Sequence, residues 1–151
     1  QEGGEMTAAD LTTGPEGGTP DAVLTRVNAL DVLVHSGIRV TAGPDGAVVA
    51  RVVDPGPEHV EQGAAGPVIN VVMIMGLADC ALAVPAILAA GGARCATLES
   101  AIKLAEPLKP GPFEGRGRVV GRQGDLFTVE VTVVDDQGRI GATATGLVAR
   151  I

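Results

Sequence analysis

The chain has almost no aromatic side chains. It contains neither Trp nor Tyr, and Phe113 and Phe127 are the two aromatic residues among 151. Positive charge is scarce as well, because 18 acidic and 11 basic residues give a formal net charge of −7. Proteins that bind nucleic acid use positive charge for the phosphates and aromatic faces for unpaired bases. Nucleic acid is therefore not an expected partner.

Cysteine and histidine are also few, and none of them forms a metal-binding pattern. Cys80 and Cys95 do not make a CxxC pair, and His35 and His59 stand alone in the sequence, whereas metal sites have several ligands at characteristic spacing. We expect the cysteines to be small buried residues in a reducing compartment, and the histidines to lie at the surface or at strand ends. No metal and no other cofactor is expected.

The first ten residues, QEGGEMTAAD, have neither a basic region nor an apolar run, so no secretory signal is expected. Residues 1–5 precede Met6 and are interpreted as a remnant left by expression. Residues 1–18 are rich in Gly, Thr and Glu and are predicted to be disordered, which leaves 19–151 as one domain. The protein is expected in the cytoplasm.

Asp79 is the one charged residue in the most apolar part of the chain, PVINVVMIMGLADCALAVPAILAA at 67–90. The segment could span a bilayer by length, but its polar residues and the lack of a basic flank or aromatic belt favour a buried helix. The helix is predicted from about Pro67 to Ala89, ended or kinked by Pro85. Perturbed carboxylates concentrate at functional sites, so Asp79 is the leading catalytic candidate. A carboxylate on a polar stripe, or one that caps a neighbouring element, is the alternative.

Shorter elements flank this helix. Helical spacing and an N-terminal Thr-Pro-Asp predict an amphipathic helix from Thr19 to about Val34. Alternating apolar residues and turn motifs predict a hairpin, a loop over 54–66 and, after the long helix, four antiparallel strands. The predicted strands are 37–41, 47–53, 97–104, 115–122, 126–134 and 139–150. The fold class is therefore α+β, with a curved antiparallel sheet of about six strands wrapped around a helix that is apolar on every side.

Common catalytic motifs are missing. There is no GxSxG elbow and no Walker loop. Gly115, Gly117 and Gly121 approach a dinucleotide fingerprint, but they fall inside a predicted strand that no helix follows. No second carboxylate lies near Asp79 in the sequence, so a paired-acid mechanism has no local support.

Two motifs before and within the long helix are distinctive: GPVIN at 66–70 and MGLADCA at 75–81. The order and spacing of these motifs, of the strand and loop that follow from Thr97 to Gly111, and of the closing hairpin at 129–145 resemble PaaI-like acyl-CoA thioesterases of the hotdog fold. The resemblance covers about Leu33 to Ile151. It implies a hotdog domain that hydrolyses the thioester of a small or medium acyl-CoA.

The resemblance also implies roles for single residues. Asp79 matches the acid that is nucleophile or general base in the family, and Thr97 falls where a Ser or Thr often helps hold the attacking water. Asn70 takes the place of a His or Ser, after which the backbone N–H, here that of Val71, polarises the thioester carbonyl. Gln62 is the nearest candidate for an upstream amide that many members have.

Other residues are candidates for binding the substrate. Val72 adjoins the predicted oxyanion donor. The CoA phosphates need positive charge, which basic residues near the expected rim of the site could provide, although a solvated strand face explains each of them equally well. These basic residues are Lys103, Lys109, Arg116, Arg118 and Arg122.

Asn70-Val71-Val72 departs from the His-Gly-Gly or Ser-Gly-Pro that the family usually has. A backbone N–H survives any residue but Pro, yet Val71 brings bulk close to the acyl group. A catalytically degenerate hotdog protein that binds acyl-CoA, or serves as a partner subunit, is therefore one alternative. A hotdog dehydratase or hydratase is another, but it needs a catalytic His beside an acid, and neither His35 nor His59 is on the central helix.

Helix geometry predicts a partner subunit. Asn70 and Asp79 are nine residues apart, which corresponds to a rotation of about 900° and a rise of about 13.5 Å along a helix. The two groups of one helix cannot readily reach one substrate carbonyl, so sites shared between two subunits are expected. The exposed sheet edges also favour association. The predicted assembly is a homodimer, paired further into a tetramer.

Overall fold

The computed structural model describes residues 18–151, so the predicted disorder of the N-terminal segment lies, apart from Gly18, outside the described residues. Helices α1 (Pro20–Asn28) and α2 (Asp31–Ser36) precede strands β1 (Arg39–Ala42) and β2 (Val48–Val52). A short hairpin, β3 (Val60–Gly63) and β4 (Gly66–Ile69), leads into the long helix α3 (Val71–Ala89). Four strands complete the fold: β5 (Cys95–Leu104), β6 (Phe113–Gln123), β7 (Leu126–Asp135) and β8 (Ile140–Arg150).

The main sheet has six antiparallel strands in the order β1-β2-β6-β7-β8-β5, and β3 and β4 pair separately. This confirms the predicted α+β fold, a curved six-stranded sheet packed on one long helix. The face towards α3 is apolar, since Phe127, Val129, Val131 and Val133 of β7 are all buried there. Phe113 of β6 is also buried, so both aromatic residues belong to the core.

The sheet approaches α3 most closely at β6. A Cβ atom at Gly117 would overlap the carbonyl oxygen of Ala81, and one at Gly115 would lie 3.2 Å from the side chains of Leu77 and Ala81. Pro85 has no N–H, so the Ala81 carbonyl lacks its usual helical donor, and the backbone of Gly117 covers this carbonyl. Two of the three glycines that approach a dinucleotide fingerprint, Gly115 and Gly117, therefore allow close helix–sheet packing.

The outer edge of β1 is closed by a side chain. Asn28, the last residue of α1, accepts a hydrogen bond from the Val40 N–H through Oδ1 and donates one from Nδ2 to the Val40 carbonyl, both at 2.7 Å. The carboxamide thereby takes the N–H and C=O groups of Val40, two of the outward backbone groups that a further strand would use. At the opposite end of the sheet, β5 pairs with β8 on one side and with no other strand of residues 18–151.

Three predictions about element boundaries are wrong. The first helix is interrupted at Leu30, whose extended conformation divides it into α1 and α2. The predicted loop contains β3, and α3 begins at Val71 rather than Pro67, because residues 66–69 form β4. The predicted end of α3 at Ala89 is confirmed, and Pro85, for which an end or a kink was expected, does not end the helix. A helix tolerates a proline at the cost of one hydrogen bond when packing holds the segment, and Pro85 is buried against the sheet.

The prediction that α3 is enclosed on all sides is also wrong for a single chain. Leu77, Ala78, Ala81 and Leu82 are fully buried against the sheet. The opposite side of the helix is open, with Val72 77% exposed and Met75 47% exposed. We call the open side, residues 72, 75, 76 and 79, the exposed face of α3.

Within residues 18–151, α3 alone is long and apolar enough to cross a membrane, with a mean hydropathy of 2.3. Length and composition do not distinguish such a span from the core helix of a soluble protein. The inner half of α3 is packed against β2, β5, β6, β7 and β8. We therefore assign α3 as a core helix, and no membrane span is indicated.

Candidate active site

The N-terminus of α3 is capped by Asn70. Its Oδ1 atom accepts a hydrogen bond from the Met73 N–H at 2.8 Å, and its Nδ2 atom donates to the Glu58 carbonyl at 2.7 Å. Asn is among the preferred N-cap residues because its side chain satisfies a free N–H of the first turn. Asn70 therefore has a structural role here, since both polar atoms of its side chain are already hydrogen-bonded.

The next two backbone N–H groups, those of Val71 and Val72, have no acceptor among residues 18–151. The first turn of any helix leaves such donors, and the helix dipole adds a partial positive charge to them. The side chain of Val71 is 37% exposed and that of Val72 is 77% exposed, so this end of the helix is open to solvent. A developing negative charge on a bound carbonyl oxygen could be stabilised here.

Asp79 lies on the exposed face of α3, about two turns after these amides. It forms no side-chain hydrogen bond and no ion pair with any residue between Gly18 and Ile151. The carboxylate is exposed in the single chain rather than buried, because α3 turns this side away from the sheet. A solvent-facing carboxylate without a partner is free to attack a substrate or to take a proton from water.

The thiol next to this carboxylate is not a competing nucleophile. Burial and, to a smaller extent, the charge of Asp79 raise the pKa of Cys80 to about 11. Cys80 therefore remains a neutral thiol at physiological pH, and thiols react as thiolates. Both cysteines are half-buried, and desolvation also raises the pKa of Cys95.

A buried histidine supports the cap of α3. His59 is 2% exposed, and its backbone carbonyl accepts a hydrogen bond from the Asn70 N–H at 2.8 Å. His59 is therefore not at the surface, although it directly precedes β3, one of the two expected positions, whereas His35 is exposed. The sequence did not identify His59 as a support of the α3 N-terminus, because its partners Ser36 and Asn70 lie in other segments. The sequence signal nearest to this role is Asn70, whose residue type is preferred at a helix N-cap.

Three more predicted residues lie on the same side of the sheet as α3 or near its N-terminus. Thr97 of β5 pairs with the buried Val148, so it faces the α3 side. Gln62 is exposed on β3. Lys109 is exposed and follows Leu108, whose carbonyl accepts the Ile69 N–H at 2.8 Å just before α3.

Three of the remaining basic candidates, Lys103, Arg116 and Arg118, are not brought to α3 in the same chain. Arg116 and Arg118 alternate along β6 with Gly115 and Gly117, which face α3, so they are on the opposite face of the sheet. Lys103 pairs with Thr143 on that outer face. Arg116 binds Glu114 there, with Nε and Oε1 at 2.7 Å.

Arg122 has a different role, because the register of β6 shifts after Val119. It caps the other end of α3, where Nη1 lies 3.4 Å from the Ala89 carbonyl and the guanidinium stacks 4.8 Å from the centre of the Phe127 ring. A cation is favourable at a helix C-terminus. Among residues 18–151, no three His, Cys, Asp or Glu side chains cluster in a way that could hold a metal ion.

The curved sheet on one long helix, with a carboxylate and open amides on that helix, defines a protein of the hotdog class. A sequence profile of the Thioesterase superfamily matches residues 66–142, slightly more than half of the chain. The chain therefore belongs to the thioesterase superfamily. The matched segment begins at β4 and contains α3 with Asn70 and Asp79.

Solved structures confirm the fold. A thioesterase family protein from Silicibacter pomeroyi is 18% identical, with a TM-score of 0.73 over 87% of this chain and 98% of its own. The PaaI protein of the Escherichia coli phenylacetic acid degradation operon is 15% identical, with a TM-score of 0.67 over 84% and 88%. The TT0310 protein of Thermus thermophilus is 23% identical, with a TM-score of 0.66 over 80% and 97%. No curated protein is significantly similar in sequence.

Proposed function

We propose that the chain is an acyl-CoA thioesterase with Asp79 as nucleophile or general base and the Val71 amide as oxyanion donor. One observation carries the proposal: α3 presents an unpartnered carboxylate on its exposed face and open amides at its N-terminus. Membership in the thioesterase superfamily supports the same reaction class. In this proposal the active unit is a hotdog domain that comprises residues 19–151. The protein acts in the cytoplasm, where acyl-CoA is metabolised.

The reaction consumes water and releases a carboxylic acid and the CoA thiol. Asp79 either attacks the thioester carbonyl carbon directly or removes a proton from a water that attacks it, and Thr97 holds that water. Negative charge then develops on the carbonyl oxygen, where a preorganised N–H donor has most effect. Collapse of the tetrahedral intermediate expels the CoA sulfur as a thiolate. Direct attack leaves an acyl–Asp79 anhydride, which water hydrolyses.

Two subunits share each site in this proposal. Val71 and Asp79 are eight residues apart on α3, a rise of about 12 Å, and one carbonyl group cannot reach both. The exposed face of α3 and the unpaired edge of β5 are available to a second copy of the chain. A homodimer, paired further into a tetramer, brings Val71 of one subunit towards Asp79 of the other.

The acyl group is small or medium in size, since Val71 and Val72 place two β-branched side chains beside the oxyanion donor. Lys109 and Gln62 contact the CoA moiety in this proposal, which their positions near the N-terminus of α3 support. Lys103, Arg116 and Arg118 could reach CoA only from another subunit, given their position on the outer face of the sheet.

A protein that binds acyl-CoA without turnover is the second candidate, and the bulk of Val71 and Val72 favours it. A dehydratase or hydratase has less support. His59 is buried with both ring nitrogens hydrogen-bonded, and His35 binds the Asp31 carbonyl within α2. Neither imidazole is placed beside Asp79 on α3.

Hydrolysis of an acyl-CoA panel by wild type and Asp79→Asn tests the proposal. The variant should lose about 10²–10⁴-fold in kcat, the usual contribution of a positioned acid or base. Its free energy of unfolding should change by less than about 0.5 kcal/mol, because Asp79 is exposed in the chain. Asp136→Asn, in an exposed turn, is the matched control and should be fully active. Equal turnover by Asp79→Asn and wild type would exclude the mechanism, and tight binding without turnover would favour the second candidate.

A further inference from the structure

We propose that His59 is a positioning residue for the oxyanion amides and that only its neutral form performs this role. The inference rests on the proposed function of the α3 N-terminus. His59 is buried at the end of the turn 57–59, away from Asp79 and from the exposed face of α3. Each of its four polar groups is hydrogen-bonded, so the ring and the backbone of residue 59 are held in one arrangement.

The hydrogen bonds fix the protonation state and tautomer of the imidazole. Nδ1 lies 2.8 Å from the Gly56 backbone nitrogen, and because an amide N–H can only donate, Nδ1 is the acceptor. Nε2 lies 2.6 Å from the Ser36 carbonyl oxygen, and because a carbonyl can only accept, Nε2 carries the hydrogen. The arrangement therefore requires a neutral ring with its proton on Nε2.

The backbone of the same turn holds the cap of α3. The His59 carbonyl accepts the Asn70 N–H at 2.8 Å, and the Glu58 carbonyl accepts a hydrogen bond from Asn70 Nδ2 at 2.7 Å. Asn70 in turn holds the Met73 N–H. Residues 58 and 59 thus carry both attachments of the N-cap, and a shift of this turn moves the Val71 and Val72 amides.

Protonation of His59 breaks this arrangement. A hydrogen on Nδ1 would face the Gly56 N–H, so two donors would meet where one hydrogen bond now exists. From α2 the ring faces the Ser36 carbonyl and Gly37, and from its own turn it faces Gly56 and Glu58. Within residues 18–151, Glu58 is the one charged group within 4 Å, with Oε1 3.3 Å from Nδ1. The protonated ring would pair with Glu58 in place of Gly56, and the turn would rearrange.

A pH series of kcat/KM between about pH 8 and 5, the range in which histidine charge changes matter, tests the proposal with acyl-CoA as substrate. Wild type should lose activity on acidification. Glu58→Gln, which removes the partner of the protonated ring, should move that loss to lower pH. His35→Gln is the matched control, because His35 is exposed and hydrogen-bonded only within α2; its profile should match wild type. An unchanged profile for Glu58→Gln would overturn the proposal.

His59→Gln and His59→Asn should lose about tenfold or more in kcat at pH 8, with less effect on KM, since a small displacement of a reacting group is costly. Either variant can also replace one of the two ring hydrogen bonds, and the remaining activity should no longer follow the acid-side loss of wild type. If both variants fail to fold, the pH series of Glu58→Gln still tests the proposal, because Glu58 is exposed and its substitution should not unfold the protein.

Nuclear magnetic resonance provides a readout that needs no enzyme activity. The ring nitrogens of His59 should show the Nε2–H tautomer at pH 8. The amide resonances of Val71, Val72 and Met73 should shift on acidification with the same midpoint as the His59 ring. If the ring titrates while these amides stay fixed, the positioning role is excluded. If the amides follow the ring but no acyl-CoA is hydrolysed, the coupling stands and the proposed function fails.

Discussion

Gly76 lies in the interior of α3, where glycine costs about 0.5–1 kcal/mol relative to alanine. Nothing within residues 18–151 requires its small size, because a Cβ atom built there meets no atom within 4 Å. Gly76 is on the exposed face, three residues before Asp79, so the two positions are neighbours on the helix surface. The missing side chain therefore leaves room beside Asp79 for something outside the chain, which we take to be the acyl group.

Gly76→Ala should raise stability and narrow the substrate range. The melting temperature should increase, because alanine favours the helix, while the added methyl group occupies the space beside Asp79. We expect kcat/KM for an aryl acyl-CoA to fall about tenfold relative to that for acetyl-CoA, a loss of about 1.4 kcal/mol. Parallel thermal unfolding and kinetic measurements on wild type and variant check both effects. If the ratio of the two kcat/KM values is unchanged and light scattering gives a lower molecular mass for the variant, Gly76 belongs to a subunit contact instead.

Residue-level reasoning from the sequence identified Asp79 as the unusual group of the apolar segment but not its exposure. A run of apolar residues at every helical position indicates burial on all sides, yet a subunit interface produces the same pattern. The role of Asn70 was predictable from its N-cap chemistry. The burial of His59 was not, because Gly56 is a neighbour in its own turn but Ser36, the partner of Nε2, is 23 residues away and is brought to the ring by tertiary structure.

The start of α3 determines which amides are open. Asn70 is extended, with φ −70° and ψ 149°, which is the conformation that a residue before proline adopts. Val71 is the first helical residue, where proline is tolerated because its N–H has no helical acceptor. Val71 can therefore be replaced by proline, which removes the backbone N–H of residue 71 without breaking a helical hydrogen bond.

Val71→Pro should fold and lose about 10²–10³-fold in kcat, the usual loss for one oxyanion donor. Val71→Ala is the matched control, because it removes bulk but keeps the N–H, and it should retain turnover and accept larger acyl groups. Circular dichroism of both variants verifies that α3 is intact. Normal hydrolysis by a folded Val71→Pro protein would rule out this amide as the donor.

Elements with strong local patterns were predicted well. Strands β7 and β8 alternate apolar and polar residues between clear turns, and their predicted bounds differ from the observed ones by one residue. Residues 67–69 were assigned to the helix because a short apolar run does not distinguish a strand from a helix. The outer position of Arg116 follows from its alternation with Gly117, but the close approach of Gly117 to α3 is a tertiary contact that the local pattern does not indicate.

At the scale of the whole molecule, sharing of sites can be tested by mixing two inactive proteins. In a dimer formed from one Asp79→Asn subunit and one Val71→Pro subunit, one site combines both intact groups and the other combines both defects. Equimolar refolding of the two variants should therefore restore about a quarter of wild-type activity if subunits pair at random. Activity should not return when either variant is refolded alone. A mixture that stays inactive while mixed dimers form would place both groups of a site in one chain.

Because of the hydrogen bonds between Asn28 and Val40, the β1 edge of the sheet is less able than the β5 edge to pair with a further strand. A subunit with two unpaired sheet edges could pair with a further subunit at each edge, and such pairing can continue without limit. Among residues 18–151, Asn28 covers the edge of β1 at Val40, whereas the outer edge of β5 has no partner strand. When the β5 strands of two subunits pair with each other, neither subunit has a second unpaired β5 edge, so pairing through this edge stops at two subunits. We therefore expect Asn28 to limit strand addition at β1, so that association through sheet edges stops at two subunits instead of continuing into fibres.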